Sequence, residues 1–503
     1  MLPFRRKINS EVTYDSLLIF YRDEFGVKQR RFIDRAEVPF YIIKDKESQE
    51  AITSPMFIEK DKVEKFVTYS DMLYRDIATK TNSTVYWDRV DTMWGPESSN
   101  MKNLFKHPWV YNSDMDVVDR YIKMFNDEFE PNKDYKLHKV FYDIEVDLMP
   151  EGFKKNKNGQ IGYVGFPDES IAPCPVNIIT LIDGKTMEGY IFAHRNTINT
   201  QLLDFEKEKE KNINEIINEI ADEDDTTLNA IHMQFYNSEE ETIEAFFECL
   251  HKIDPDYSLA WNSGFDICTL IKRLTILYGR KRELKELGKT GYDAMLDTVC
   301  DMRHCVVKNS LGEDVYLTPK AYYKQNKDKS IVDRMDEFTV LDGIIHIDQM
   351  LVYANIRKTS GMKESYSLDA IANEELGKEK LDYTGYTIKN LAWLNYKKFV
   401  KYNFRDTLLL LLLENKNLDV EMLQKLCEVT NTRKLKVFKK TISLKNFVSK
   451  FAEEQGFIMG NNKNAQYGND YENFARDYLP DIKIKENDPK YMEAFEKKEN
   501  YGA

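Results

Sequence analysis

Two carboxylates stand two residues apart in the segment KVFYDIEVD, residues 139–147. The apolar and aromatic residues around them predict a β-strand, in which side chains at i and i+2 project from the same face. Asp143 and Glu145 should therefore point the same way. Carboxylates are disfavoured inside strands, whereas adjacent hard oxygen donors suit Mg²⁺ or Mn²⁺. A plain strand with one wet face is the alternative reading of this pair.

A third carboxylate follows a predicted turn from strand to helix. The run YSLAWN, residues 257–262, favours a strand, and the residues after Phe265 favour a helix. Gly264 would permit a tight turn between the two elements. Asp266 then stands at the start of the helix, where it either joins a metal site or simply caps the helix.

A tyrosine and an aspartate are spaced four residues apart in a long predicted helix near residue 400. Tyr402 and Asp406 occupy positions i and i+4, which lie on one helix face. The sequence therefore presents a phenolic hydroxyl and a carboxylate together. Alternatively, Tyr402 belongs to the core and Asp406 is solvated.

These three patterns occur in a fixed order along the chain: an acidic pair on a strand, NxxFD, then YxxxD. Together they resemble the Exo I, Exo II and Exo III motifs of family B DNA polymerases, in the tyrosine type of the DEDD exonucleases. Two further elements resemble that family. Ser367-Leu368 is similar to its (S/T)Lxxh element, and Lys380 to Tyr383, KLDY, is similar to its Kxxh element.

The resemblance implies an α/β fold: an RNase H-like exonuclease domain with a mixed sheet and flanking helices, preceded by a β-rich N-terminal domain. We expect residues 1–134 to form the N-terminal domain and residues 135–420 the exonuclease domain. Residues 421–503 would be a helical connector that returns to the N-terminal domain and leads towards a polymerase palm. Short strand-like runs near the start, a hairpin around Gly26 and VPFYII at 38–43, fit this arrangement.

The resemblance also implies a two-metal site. Asp143, Glu145, Asp266 and Asp406 would hold two divalent cations, Mg²⁺ or Mn²⁺, one activating water and the other stabilising the leaving 3′-oxygen. Tyr402, with an intrinsic pKa of about 10, would orient the water rather than act as a base. Lys380 would offset charge on the scissile phosphate.

A single-stranded 3′ end is the substrate that the resemblance implies, with 5′-mononucleotides as products. Asn262 and Phe265 correspond to ligands of the single strand, and Phe265 would stack on the terminal base. Ser367 and Leu368 would grip the next nucleotide. Packing in the core is the alternative for Phe265.

Composition limits the remaining possibilities. Lys and Arg total 72 against 85 for Asp and Glu, a net charge of −13, which argues against tight binding of duplex phosphate by this chain alone. The six cysteines contain no CxxC pair, which argues against zinc. The longest apolar run, Leu408 to Leu413, is far shorter than the ~20 residues that span a membrane. We expect a cytoplasmic protein, in the infected host cell if the chain is viral.

Palm motifs of the family are absent from these 503 residues. We therefore expect exonuclease activity without polymerisation, and a palm, fingers and thumb supplied by a second chain or by the rest of a longer one. A sliding clamp is a further candidate partner. A stand-alone nuclease of the same type and a catalytically inert DNA-holding subunit are the alternatives.

One acidic run spells DEDD consecutively, at residues 222–225, near the end of a charged helical segment. Catalytic carboxylates of such a site must come from separate elements that converge in space. We therefore expect this run to be a solvated surface loop.

Overall fold

The computed structural model of the protein describes residues 2–9, 12–45, 56–81, 109–129, 135–224 and 226–461. The strands are β1 (Leu2–Asn9), β2 (Val12–Arg22), β3 (Lys28–Ile33), β4 (Glu37–Ile43), β5 (Phe57–Glu59), β6 (Val63–Tyr69), β7 (Val110–Tyr111), β8 (Lys139–Val146), β9 (Val176–Asp183), β10 (Glu188–His194), β11 (Ala230–Tyr236), β12 (Tyr257–Ala260), β13 (Val306–Lys308), β14 (Asp314–Tyr316), β15 (Ala321–Lys324), β16 (Glu337–Val340), β17 (Ile345–Asp348) and β18 (Phe457–Met459).

The α-helices of the same residues are α1 (Leu73–Lys80), α2 (Val117–Glu128), α3 (Thr200–Lys207), α4 (Lys209–Asp224), α5 (Glu239–Ile253), α6 (Ser263–Gly279), α7 (Arg282–Glu286), α8 (Gly291–Val299), α9 (Gln349–Ile356), α10 (Leu368–Leu376), α11 (Ile388–Leu394), α12 (Tyr396–Asn417), α13 (Asp419–Thr430), α14 (Lys434–Val437) and α15 (Lys440–Glu454). Among these helices, none combines the length and apolarity that crossing a membrane would need.

The chain groups into two compact units. Of the described residues, the larger unit contains those within 17–34 and 126–443, and the smaller unit contains those within 3–16 and 35–125 and those after 443. The division into domains at residues 134 and 420 that the sequence suggests stays a prediction.

A six-stranded mixed sheet forms the centre of the larger unit, in the order β11-β10-β9-β8-β12-β17. Strands β8, β9 and β10 pair antiparallel, while β12 runs parallel to both β8 and β17. All eight residues of β9 are buried, as expected for an apolar strand that is covered on both faces. The predicted α/β class with a mixed sheet is confirmed.

Helix α12 lies against β8 and β9 and is buried along most of its length. Its Phe404 ring is fully buried and occupies the space beside Gly189 of β10, where an added Cβ would approach the ring to 2.5 Å. The hydroxyls of Thr180 on β9 and Thr407 on α12 hydrogen-bond to each other in the core. The glycine and the paired threonines thus fix the position of α12 on the sheet.

A ladder of ion pairs joins α4 to α12, with acids on one helix and cations on the other at four-residue spacing. The pairs are Glu215–Lys397, Glu219–Lys401, Glu223–Lys401 and Glu223–Arg405. Asp224 is buried and pairs with Lys378 at 3.2 Å. The expected loop at residues 222–225 is wrong for the first three residues, which complete α4. Asp222 and Glu223 are exposed as expected, whereas Asp224 is not, and Asp225 lies outside the described residues.

The smaller unit contains the antiparallel sheet β6-β4-β7 with α1 packed on it, around a core that includes Phe40 and Ile77. The strand predicted at residues 38–43 is confirmed as the greater part of β4. The hairpin predicted around Gly26 is confirmed as the pairing of β2 with β3, and its residues belong to the larger unit.

We predict that Gly189→Ala destabilises the protein because its methyl group would press into the Phe404 ring. Overpacking of this kind costs about 1–3 kcal/mol, which exceeds the small gain that alanine brings to a strand. Denaturant titration measures the effect. Gly279→Ala is the matched control, since an added Cβ there meets no atom within 4 Å; equal stability of the two variants would contradict the packing described for α12.

Candidate active site

Three carboxylates from two elements meet at the face between β8 and α12. Asp143 and Glu145 lie on β8, and Asp406 lies on α12. One oxygen from each residue lies within 4.8 Å of one from each of the other two. Asp143 and Glu145 are half-buried, whereas Asp406 is buried. The shared strand face that the i, i+2 spacing predicts is the face on which the helix adds the third acid.

Tyr402 and Lys380 surround Asp406 with hydrogen-bond donors. The Lys380 ammonium donates to Asp406 Oδ2 at 2.5 Å and lies 3.4 Å from the Tyr402 hydroxyl, which lowers the pKa of Asp406 as Lys380 does. The Tyr383 ring meets the Tyr402 ring edge-on, with centroids 5.5 Å apart. The structure therefore brings together the lysine and the YxxxD pair that the sequence singles out separately.

The turn that carries Asp266 begins with a strained residue. Asn262 adopts the left-handed conformation, φ +61°, and its backbone N–H donates to Asp348 Oδ1 at 3.2 Å. Gly264 has an ordinary helical backbone, and a Cβ there would collide with the Tyr323 hydroxyl. The sequence expectation is thus corrected: Asn262 makes the tight turn, and Gly264 is needed because another side chain packs against it.

Two residues of the site are missing from the sequence interpretation. Asn403, fully buried, donates through Nδ2 to Asp143 Oδ2 at 2.6 Å. Asp348 is also buried and, besides holding the Asn262 turn, caps α9 by accepting from Met350 N. An amide in an apolar helix stretch and an acid at the end of a second buried strand are the available signals.

The charges of the site are poorly compensated. Burial raises the pKa of Asp143 to about 7, and the neighbouring charge of Asp406 contributes to that shift. Burial likewise raises the pKa of Glu145 well above its usual range, with a further contribution from Asp143. The pKa of Asp406 is raised by burial even though Lys380 opposes that shift.

Asp266 is the fourth acid. It lies outside the group of three, but the charges of that group still affect its pKa. Burial raises the pKa of Asp266 well above its usual range, and the charges of Asp143 and Glu145 raise it further. For Lys380, burial alone would lower the pKa, but the carboxylates around it outweigh burial and the net shift is upward. Lys380, a permanent cation, thus faces Asp406, Asp143 and Glu145.

The donor set fits divalent cations. Asp266 Oδ2 and Asp406 Oδ1 are buried and have no hydrogen-bond partner among the described residues. Buried carboxylate oxygens without a donor are costly, and they are the ligands that Mg²⁺ and Mn²⁺ prefer. The acidic cluster could therefore bind a metal ion.

The residues expected to hold DNA fall into two groups. Asn262 and Ser367 are exposed, and Ser367 caps α10 by accepting from Ala370 N at 3.3 Å. Phe265 is half-buried, with one ring neighbour, whereas Leu368 is only 6% exposed and belongs to the main core. Contact of these four residues with DNA stays a prediction.

Strand order and carboxylate placement define an α/β nuclease domain of the RNase H-like kind. The model of the DNA polymerase family B exonuclease domain matches residues 112–371, and the chain belongs to this family. The family implies nuclease activity and binding to DNA. The match includes Asp143, Glu145 and Asp266 and ends before the region of Lys380 and α12, which the structure adds to the same site. A search of the curated proteins found no match.

We predict that Asp143→Asn stabilises the metal-free protein at alkaline pH. A carboxyl whose folded pKa lies near 7, against about 4 unfolded, favours the folded state less as pH rises through that window. A neutral amide escapes this loss and can still accept from Asn403. In EDTA near pH 8, the melting temperature of the variant should exceed that of the wild type by roughly 2 °C or more.

The difference should shrink towards pH 4, where the wild-type carboxyl is also neutral. Adding Mg²⁺ should reverse the order, because it compensates the wild-type site more than the variant site. A variant that melts lower than the wild type in EDTA at every pH would contradict the charge imbalance described here.

Proposed function

We propose that this chain is a 3′→5′ exonuclease that removes nucleotides one at a time from single-stranded or frayed DNA ends, as the proofreading part of a replicative family B polymerase. The observation that carries the proposal is the convergence of Asp143, Glu145, Asp266 and Asp406 with Tyr402 from three separate segments. An inert DNA-holding domain has no need of four acids gathered around one place, two of them half-buried and two buried.

The four carboxylates would hold two divalent cations, Mg²⁺ or Mn²⁺. When bound, such a pair clamps a scissile phosphate and lowers the pKa of the attacking water. Asp143 lies within 4.8 Å of Glu145 and Asp406 and its charge reaches Asp266, so it would be a central ligand of the ions. Asn403 fixes the orientation of Asp143 through its 2.6 Å hydrogen bond, as supporting residues of metal sites commonly do.

Tyr402 would act as a hydrogen-bond donor rather than a base. Burial raises its pKa far above the usual value of 10, and the charge of Asp406 adds to the shift. Its hydroxyl therefore keeps its proton at neutral pH and can orient water or a phosphate oxygen. Lys380 keeps its charge and, within reach of the same carboxylate, would offset the charge of the phosphate.

Asn262, Phe265 and Ser367 would contact a single strand as it enters the site. The half-buried Phe265 directly precedes Asp266 in the chain, so a base stacked on its ring would lie close to the acids. Duplex ends should be poorer substrates, because separating each base-pair step costs about 1.4 kcal/mol. A palm, fingers and thumb, and a sliding clamp, remain proposed partners on this reading.

We predict that the protein shortens a 5′-labelled oligonucleotide in single-nucleotide steps when Mg²⁺ or Mn²⁺ is present. A 3′-labelled oligonucleotide should instead release its label as a mononucleotide from the start, which fixes the direction. The double variant Asp143→Ala, Glu145→Ala should lose this activity while keeping its circular dichroism spectrum. Wild-type-like degradation by the double variant would remove these residues from the site.

The matched comparison is made at α12. Tyr402→Phe loses one orienting hydroxyl and keeps every carboxylate, so its single-turnover rate should fall by about 10²-fold or less. Asp406→Ala loses a metal ligand and should fall much further. Equal losses in the two variants would contradict the roles given to them.

A further inference from the structure

A second phenylalanine touches the ring that is expected to receive the terminal base. The Phe166 ring lies 4.9 Å from the Phe265 ring, centroid to centroid, with an angle of 49° between the planes. Phe166 is 75% exposed. A single exposed apolar side chain is common on protein surfaces and by itself indicates nothing; this one extends an apolar surface that begins one residue before the buried acid Asp266.

The segment that carries Phe166 is anchored on both sides. Before it, the Tyr163 carbonyl accepts from the Lys389 ammonium at 2.8 Å. After it, the Ala172 carbonyl accepts from the Arg273 guanidinium at 3.0 Å. The exposed ring is thus held in place beside Phe265 by contacts with α6 and α11 rather than by burial of the ring itself.

Chemistry around the pair suits a nucleotide. Asn262, exposed at the start of α6, offers an amide donor and acceptor on the same turn as Phe265. Flat aromatic faces bind nucleobases of any sequence, which is what an exonuclease that degrades every sequence requires.

We propose that Phe166 and Phe265 form a two-ring platform on which the last two bases of a single-stranded 3′ end stack. This inference rests on the proposed function, since it names a binding site for that substrate. Because the rings are inclined by 49°, two bases lying on them cannot stay stacked on each other. The platform therefore holds the terminal nucleotide apart from its neighbour and selects ends that are already unpaired.

The rival explanation is that Phe166 merely covers Phe265. Three variants separate the two. Phe166→Ala removes both the cover and the flat face, Phe166→Leu restores an apolar cover without a flat face, and Phe166→Tyr restores the face. Phe25→Ala is the control for loss of an exposed ring: Phe25 is 81% exposed and sits on the β2–β3 turn. That hairpin is tied to Asp256, at the opposite end of β12 from Asn262.

Affinity for a fluorescent oligothymidylate is measured in EDTA, with every protein also carrying Asp143→Asn to block hydrolysis. Phe166→Ala and Phe166→Leu should bind about five- to a hundredfold more weakly, the range for loss of one base–aromatic stack. Phe166→Tyr and Phe25→Ala should bind as the parent does. Full recovery in Phe166→Leu would show a cover and overturn the platform.

Oligonucleotides that lack one base complete a double-mutant cycle. One oligonucleotide lacks the terminal base and another lacks the penultimate base. For one of these two, Phe166→Ala should weaken binding little further, because the base that stacks on Phe166 is already missing. When the base is missing well upstream, the full loss should persist. Equal losses on all oligonucleotides would overturn the proposal. If the wild-type protein degrades the intact strand and Phe166→Ala binds it normally, only the platform is refuted. If the wild-type protein neither binds nor degrades the strand, the proposed function is refuted as well.

Discussion

The mutual repulsion of carboxylates held in one small, largely buried space is the constraint on which the rest of this structure depends. Asp143, Glu145 and Asp406 are gathered within 4.8 Å, with Asp266 close enough to feel their charge. Left alone, such a cluster opposes folding, because burial and like charge both disfavour the ionised acids. The scaffold must therefore hold the elements together against a force that the site itself creates.

Helix α12, which carries Asp406, must be held against most of this repulsion. Several separate contacts fix the helix on the sheet. The Phe404 ring fits over Gly189, the hydroxyls of Thr180 and Thr407 meet in the core, and the ion-pair ladder joins α12 to α4. Lys380 then supplies a cation placed directly against Asp406. A site of this kind exchanges stability for function, in that the charge imbalance that weakens the metal-free fold is what attracts divalent cations.

Local periodicity was enough to predict the acids but not their supports. The two-residue period of a strand puts Asp143 and Glu145 on one face, and the four-residue period of a helix pairs Tyr402 with Asp406, whatever the rest of the fold does. Asn403 contacts Asp143, and Asp348 contacts Asn262, across long sequence separations, so the local signals at these two residues do not reveal those partners. The ion-pair ladder between α4 and α12 was not predicted for the same reason. In the sequence alone, the acids of α4 look solvated, because the cations that pair with them lie far away in the chain. Leu368 belongs to the main core, and its contact with DNA stays a prediction.

Titration calorimetry of Mn²⁺ binding tests the central claim that the acid cluster is a metal site. Near pH 7 we expect each chain to bind two ions with net release of protons. Asp143 is partly protonated at this pH and must ionise to become a ligand. Release of the Asp143 proton should decline as the pH rises above about 7, and Asp406→Asn should abolish at least one binding event. Binding without proton release, or binding unchanged in Asp406→Asn, would show that the ions are held elsewhere.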